Sequence, residues 1–155
     1  MMSGCPGSRM MMFPKDDGAE VPGGKVPSQL RQWPIQLHLV SPEAPYFQGA
    51  DVVLAADCVP FAMGDFHNAY LKGKALAIAC PKLDGDQEIY LEKIRGLIED
   101  AKINSLTVTI MQVPCCRGLL GLAMQAMKAS SRKVPVKSVV VSLQGEVLQE
   151  EWAAV

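Results

Sequence analysis

Four apolar runs alternate along this chain with two segments of helical period. The runs are ADVVLAAD (50–57), KALAIAC (74–80), SLTVTIMQV (105–113) and VKSVVVSL (136–143). The first two are nearly unbroken, as befits strands buried on both faces of a sheet. The third is rich in β-branched residues, which fit a pleated surface. Between the second and third runs, Tyr90, Ile94, Leu97, Ile98 and Ala101 recur at i, i+4, i+7, i+8 and i+11, one face of a helix over 86–102. A second helix over 116–130 places Leu120, Ala123, Met124 and Met127 on one face, with Lys128, Arg132 and Lys133 near its end to complement the helix dipole. Strand–helix alternation of this kind predicts an α/β domain. The expected form is a mostly parallel open sheet of four or five strands with flanking helices, a Rossmann-like three-layer arrangement.

The other segments fit around that frame. PIQLHLV (34–40) sets Ile35, Leu37 and Leu39 against Gln36, His38 and Val40, the alternation of a half-buried strand or extended segment. A short helix is expected over 65–72, and a final hairpin strand after the Gln144-Gly145 turn. Residues 1–30 differ in character. PKDDGAEVPGGKVPSQ (14–29) is rich in Pro, Gly and charge and has no apolar period. It reads as a flexible extension to a domain spanning 31–155.

Charge and composition narrow the function classes. The chain is 49% hydrophobic and 20% charged, with a net charge of -1. There is no basic excess of the kind that nucleic acid or a membrane surface demands. No run approaches the roughly 20 apolar residues that span a bilayer. The N-terminus lacks the long apolar stretch of a signal peptide, so the cytoplasm is the default location. In that compartment five cysteines are not expected to form a disulfide framework.

Four of them share a placement. Cys58 follows the first run, Cys80 ends the second, and Cys115 and Cys116 follow the third. All four therefore fall at the carboxyl ends of expected parallel strands. Those ends share one edge of an open α/β sheet, where ligands bind. The alternative for Cys58 and Cys80 is the bland one, since free cysteine is among the most buried residue types. Four thiolates on one rim make a soft ligand set suited to zinc, Cu(I) or an iron–sulfur cluster. Adjacent sulfurs bend to a single tetrahedral ion with difficulty, whereas a cluster offers separate corners. Cys116 is expected at a helix N-terminus, where the dipole lowers a thiol pKa, and Gly118 would let backbone approach a bulky group.

Neighbouring groups carry weaker signals. Asp57 is either an acceptor behind the site or a strand-end turn residue. His67 is a ligand or proton-donor candidate, more simply a helix-face residue, and His38 reads as structural or exposed. Lys82 and Asp84 in CPKLDG would tune a bound group's charge, or else form a turn in which Asp84 or Asp86 caps the next helix. Arg117 would bond a sulfide or a partner's carboxylate, or lie on the surface. No nucleophile–base set is visible, and GGK (23–25) lacks the strand and spacing of a phosphate loop. The sequence therefore assigns no enzymatic reaction.

Residues 31–67, together with CPKLD (80–84) and VPCCRGL (113–119), resemble a family of anaerobe proteins described as iron–sulfur cluster-binding, or 4Fe-4S ferredoxin-related. GCPGSR (4–9) resembles the tail of the cysteine-rich segment that precedes this domain in family members, and Arg117 stands where the family usually has glycine. The resemblance implies a [4Fe-4S] cluster on Cys58, Cys80, Cys115 and Cys116, and electron transfer or redox sensing with a redox protein partner. Two other expectations stand beside it. One is a thiol-based redox enzyme or sulfur carrier using Cys115 or Cys116. The other is an interaction module closed by structural zinc.

Overall fold

In the computed structural model, residues 12–13 and 25–153 are described. The expected extension over 1–30 falls largely outside them, as does Cys5. The strands are β1 (Asp51–Ala56), β2 (Ala75–Ala79), β3 (Ser105–Met111), β4 (Val136–Val141) and β5 (Val147–Trp152). They form one sheet in the order β2-β1-β3-β4-β5, parallel through β4, with β5 antiparallel at the edge. The helices are α1 (Val59–Ala62), α2 (Gln87–Glu99) and α3 (Arg117–Ala129), with a single π-helical turn at His67–Leu71. The expected α/β class holds.

The four parallel strands bury nearly every side chain, which explains their unbroken apolar composition. Register sorts these residues onto two faces. Ala55 lies between Ile78 on β2 and Thr109 on β3, and Val53 lies between Leu76 and Thr107. The β1–β2 connection packs over the face that carries Leu76 and Ile78. Right-handed crossovers put α2 and α3, which pack side by side, on the other face.

The face of α2 is the one expected: Tyr90, Ile94, Leu97 and Ile98 are buried, and so is Ala101 beyond its end. The face of α3 is the one expected only in part. Leu119, Leu122, Ala123, Ala126 and Met127 are buried, whereas Leu120 and Met124 are only partly covered. The segment is apolar on most sides, so its period alone left the inward direction open. Beyond its end, Lys133 Nζ donates to the carbonyls of Met127 and Ser130 at 2.8 and 2.9 Å, as the dipole argument anticipated.

The segment 34–40 departs most from expectation. It makes one parallel bridge, Gln36 to Ile78, and then turns. The N–H groups of Leu39 and Val40 both donate to the Gln36 carbonyl, so alternation stops there. Leu37 and Val40 are buried, and Leu39 is left in solvent. The outer edge of β2 is satisfied partly by a side chain. The Gln32 amide donates to the Leu76 carbonyl and accepts from the Leu76 N–H, both at 2.8 Å. This edge would otherwise present unpaired backbone groups.

At the far edge, the turn between β4 and β5 contains Gly145 at φ +90, with the Ala62 carbonyl where a Cβ would stand. Only glycine fits there. Tyr70 reaches from the π-helical turn to Glu150 on β5 at 3.2 Å, tying the same face to the edge strand. No helix among the described residues is long and apolar enough to cross a membrane.

Candidate functional site

The strand order reverses at β1: the chain leaves β1 for β2, then returns past it to β3. The segments after β1 and β3 therefore diverge to opposite faces, and a crevice opens between them at the carboxyl edge. Asp57 and Cys58 leave β1 on one side of it. Gln112 to Cys116 leave β3 on the other, with Pro114–Cys116 forming one 3-10 turn before α3. Cys80 leaves β2 next door. The topology thus places Cys58, Cys80, Cys115 and Cys116 at the carboxyl ends of β1, β2 and β3, on one edge of the sheet.

All four are free thiols; Cys58 is exposed and the other three are partly covered. Although Cys58 is the most exposed, the protein around it still pushes its thiol pKa up, and Cys80, Asp57 and Cys115 add to the rise. Cys116 is pushed up to about 11, first by burial; a hydrogen bond with the Met111 backbone opposes this, and Cys115 and Cys58 reinforce it. Cys58 thus feels Cys80 and Cys115, and Cys116 feels Cys115 and Cys58. The expected lowering of the Cys116 pKa by the helix dipole does not occur. Cys116 packs against the core, and desolvation of the thiolate outweighs the dipole.

Convergence on a rim is not convergence on a point. Among the described residues, no three His, Cys, Asp or Glu side chains are already placed to hold one metal ion. Gly118 likewise has a different neighbour from the one expected: a Cβ there would lie 3.4 Å from the Pro81 ring. The glycine lets the Cys80–Pro81 loop close onto the start of α3, which brings the loops of Cys80 and Cys116 together.

The loop after β2 has its own organiser. Asp84 does not cap α2; Asp86 occupies that position in a left-handed conformation without a side-chain cap. Instead Asp84 Oδ2 accepts the Cys80 N–H at 2.9 Å and Gln36 Nε2 at 3.0 Å, and it also accepts the Tyr90 hydroxyl. Gln36 donates to the Tyr90 oxygen as well, at 3.0 Å. Burial, then the bond to Asp84, raises the Tyr90 pKa far above its ordinary value. His38 stacks on Tyr90 at 4.1 Å, and its Nε2 meets the Gly85 carbonyl at 2.7 Å, a structural role. Gln36 and Tyr90 were missed as site residues. Tyr90 read only as a core position, and Gln36 lies 48 residues from the carboxylate it binds.

Asp57 is partly buried, and one of its carboxyl oxygens, Oδ1, is buried without a partner. Burial raises its pKa, with Asp84 contributing. His67 Nδ1 accepts the Gln29 N–H at 2.9 Å, which leaves the ring proton on Nε2. Lys82 and Arg117 are exposed.

An open sheet of order 2-1-3-4-5, with a crevice at its switch point, defines a doubly wound α/β domain. The chain belongs to the Rossmann-like domain family, whose model matches residues 44–155. It is 30% identical over 121 residues to an uncharacterized protein of Archaeoglobus fulgidus, a match covering 77% of this chain and 83% of the relative. No solved structure matches. The resemblance to iron–sulfur, 4Fe-4S ferredoxin-related proteins of anaerobes does not hold. The family that matches is a Rossmann-like one, no iron–sulfur or ferredoxin family does, and no preformed metal-binding group stands among the described residues.

Proposed function

We propose that the protein is a cytoplasmic redox protein whose rim cysteines, Cys58, Cys80, Cys115 and Cys116, ligate an iron–sulfur cluster of the [4Fe-4S] type. Its role is electron transfer or redox sensing with a protein partner. One observation carries this reading: thiols from three separate loops stand at the carboxyl ends of adjacent strands at the switch-point crevice, with Cys58 acting electrostatically on or feeling each of the other three. The donor set fits in type and number, because soft thiolates in fours are what such clusters take. The adjacency of Cys115 and Cys116 favours a cluster with separate corners over a single zinc ion, to which two neighbouring sulfurs bend with difficulty.

The bound group would supply one-electron chemistry. The chain's own contribution is placement. Asp84 holds the Cys80 backbone, Pro81 seats that loop on α3, and burial around Cys116 limits solvent access. A free-thiol enzyme is less well supported. Cys116, one of its two candidate nucleophiles, has a raised pKa and hence little nucleophilic thiolate at neutral pH.

The test is anaerobic purification, or reconstitution with iron and sulfide, followed by metal and acid-labile sulfide analysis. The expected result is iron and sulfide in equal amounts, about four of each per chain, with a brown chromophore. A colourless protein carrying stoichiometric zinc would refute the cluster in favour of the interaction module. A chain that holds no metal after reconstitution would refute both.

A further inference from the structure

We propose that a cleft over the β1–β2 face, lined in part by Asp57, binds a small arylalkyl amine, one ring carrying a short ammonium-bearing substituent. The cleft encloses about 270 Å³. For scale, an apolar cavity of about 150 Å³ is enough to take up benzene. The space therefore suits one ring with a short substituent.

The lining sets the chemistry. Leu30, Ile35, Phe66, Leu71, Leu76 and Ile78 make it predominantly apolar. Phe61 also lines it and is 92% exposed, a large apolar side chain left in water beside an apolar cleft. A ring seated there would cover it. Among the described residues, Asp57 is the only acidic side chain on the lining, and no Lys or Arg lines the cleft. No Lys, Arg or His forms an ion pair with Asp57 among the described residues. His67, also on the lining, has its Nδ1 occupied by the Gln29 N–H at 2.9 Å. A carboxyl in apolar surroundings without a counter-ion favours a cation as its partner. Phe61 and Phe66 offer aromatic faces that a ring stacks on and an ammonium group tolerates. Apolar walls with a few fixed polar groups are the usual makeup of a small-molecule site.

The experiment uses the full chain as purified, methyl-labelled, titrated with benzylamine, benzyl alcohol and benzoate and followed by NMR. It is run on the chain with and without reconstituted iron and sulfide, because Asp57 adjoins Cys58 and acts on its thiol. Benzylamine is expected to saturate, with shifts confined to Leu30, Ile35, Leu71, Leu76 and Ile78. Benzyl alcohol should bind about tenfold more weakly for want of the charged bond, and benzoate more weakly still. Asp57→Asn should erase the preference for the amine. Phe61→Ala alters an exposed residue, so it should fold, and it should weaken both the amine and the alcohol. The proposal is overturned if benzylamine does not saturate, if its shifts map elsewhere, or if benzoate binds as well as the amine.

Discussion

The Cys80 N–H donates to Oδ2 of Asp84 at 2.9 Å, and the Asp84 N–H donates back to the Cys80 carbonyl at 2.9 Å. This reciprocal pair closes the loop CPKLD on itself. It fixes the direction in which Cys80 leaves β2, and hence its position on the rim. Gln36 and Tyr90 hold the same carboxylate from behind. Asp84 is therefore the positioning residue of that ligand loop.

Asp84→Ala should be costly for a definite reason. It leaves the Cys80 N–H and the buried Tyr90 hydroxyl without their acceptor, a loss of about 1–3 kcal/mol in unfolding free energy. Asp84→Asn keeps one acceptor oxygen and should lose less. Under the cluster reading, both variants also weaken metal retention, by about 10–100-fold for a residue that orients a ligand from behind. Urea unfolding of the metal-free chain and a chelator competition read the two effects separately. An alanine variant as stable as the parent would show that the carboxylate does not organise the loop.

The contact of Gly118 with Pro81 makes a prediction graded by size. Gly118→Ala puts a methyl at contact distance from the Pro81 ring and improves helix propensity by up to about 1 kcal/mol, so stability should hold or rise. Gly118→Val adds atoms where the ring already sits, and should cost about 1–3 kcal/mol through overpacking. Thermal unfolding of the pair distinguishes this packing role from a need for glycine's backbone freedom, which would penalise both variants alike.

Much of this architecture is legible in the sequence, and the misses share a cause. Runs such as DVVLAA and ALAIA declare themselves because a parallel strand buries both faces, so composition alone marks it. The placement of Cys58, Cys80 and Cys115 followed from strand ends, which is topology rather than side-chain detail. What failed depended on partners remote in sequence. Gln36 pairs with Ile78 and then turns; Asp84 binds Cys80, Gln36 and Tyr90 instead of capping α2; Cys116 meets core rather than an open dipole. Local pattern contains none of these. The inward face of α3 was read only in part, for a different reason. LLGLAM is apolar in nearly every direction, so its period does not select between Leu119 and Leu120.

At the opposite end of the sheet, Asp51 accepts hydrogen bonds from Asn104 Nδ2 at 2.7 Å and Ser105 Oγ at 2.6 Å. These bonds, the Ser105 one foremost, hold its carboxyl below the ordinary value of 3.8. A carboxyl with a depressed folded-state pKa stabilises fully above its unfolded pKa, and loses that contribution as pH falls through the folded one. Asp51→Asn should therefore destabilise the chain at pH 7 and matter progressively less below about pH 4. Chemical unfolding of both proteins at several pH values checks this. A difference independent of pH would mean that the bonds stabilise without regard to charge.

Serine substitutions at the rim separate ligation from folding, and the four positions are not equivalent. Cys116 packs against the core and its thiol is half-buried, so Cys116→Ser introduces a hydroxyl into apolar surroundings and should destabilise even the metal-free chain. Cys58 is exposed, so Cys58→Ser should leave metal-free stability within about 0.5 kcal/mol of the parent. Loss of bound iron in Cys58→Ser is then attributable to the missing ligand rather than to a damaged fold. The expected outcome is a stable, correctly folded Cys58→Ser protein with sharply reduced iron and sulfide after reconstitution. Cys80→Ser and Cys115→Ser should show the same loss of iron. Full iron retention by Cys58→Ser would remove Cys58 from the ligand set and leave at most three cysteines on the rim to hold a centre.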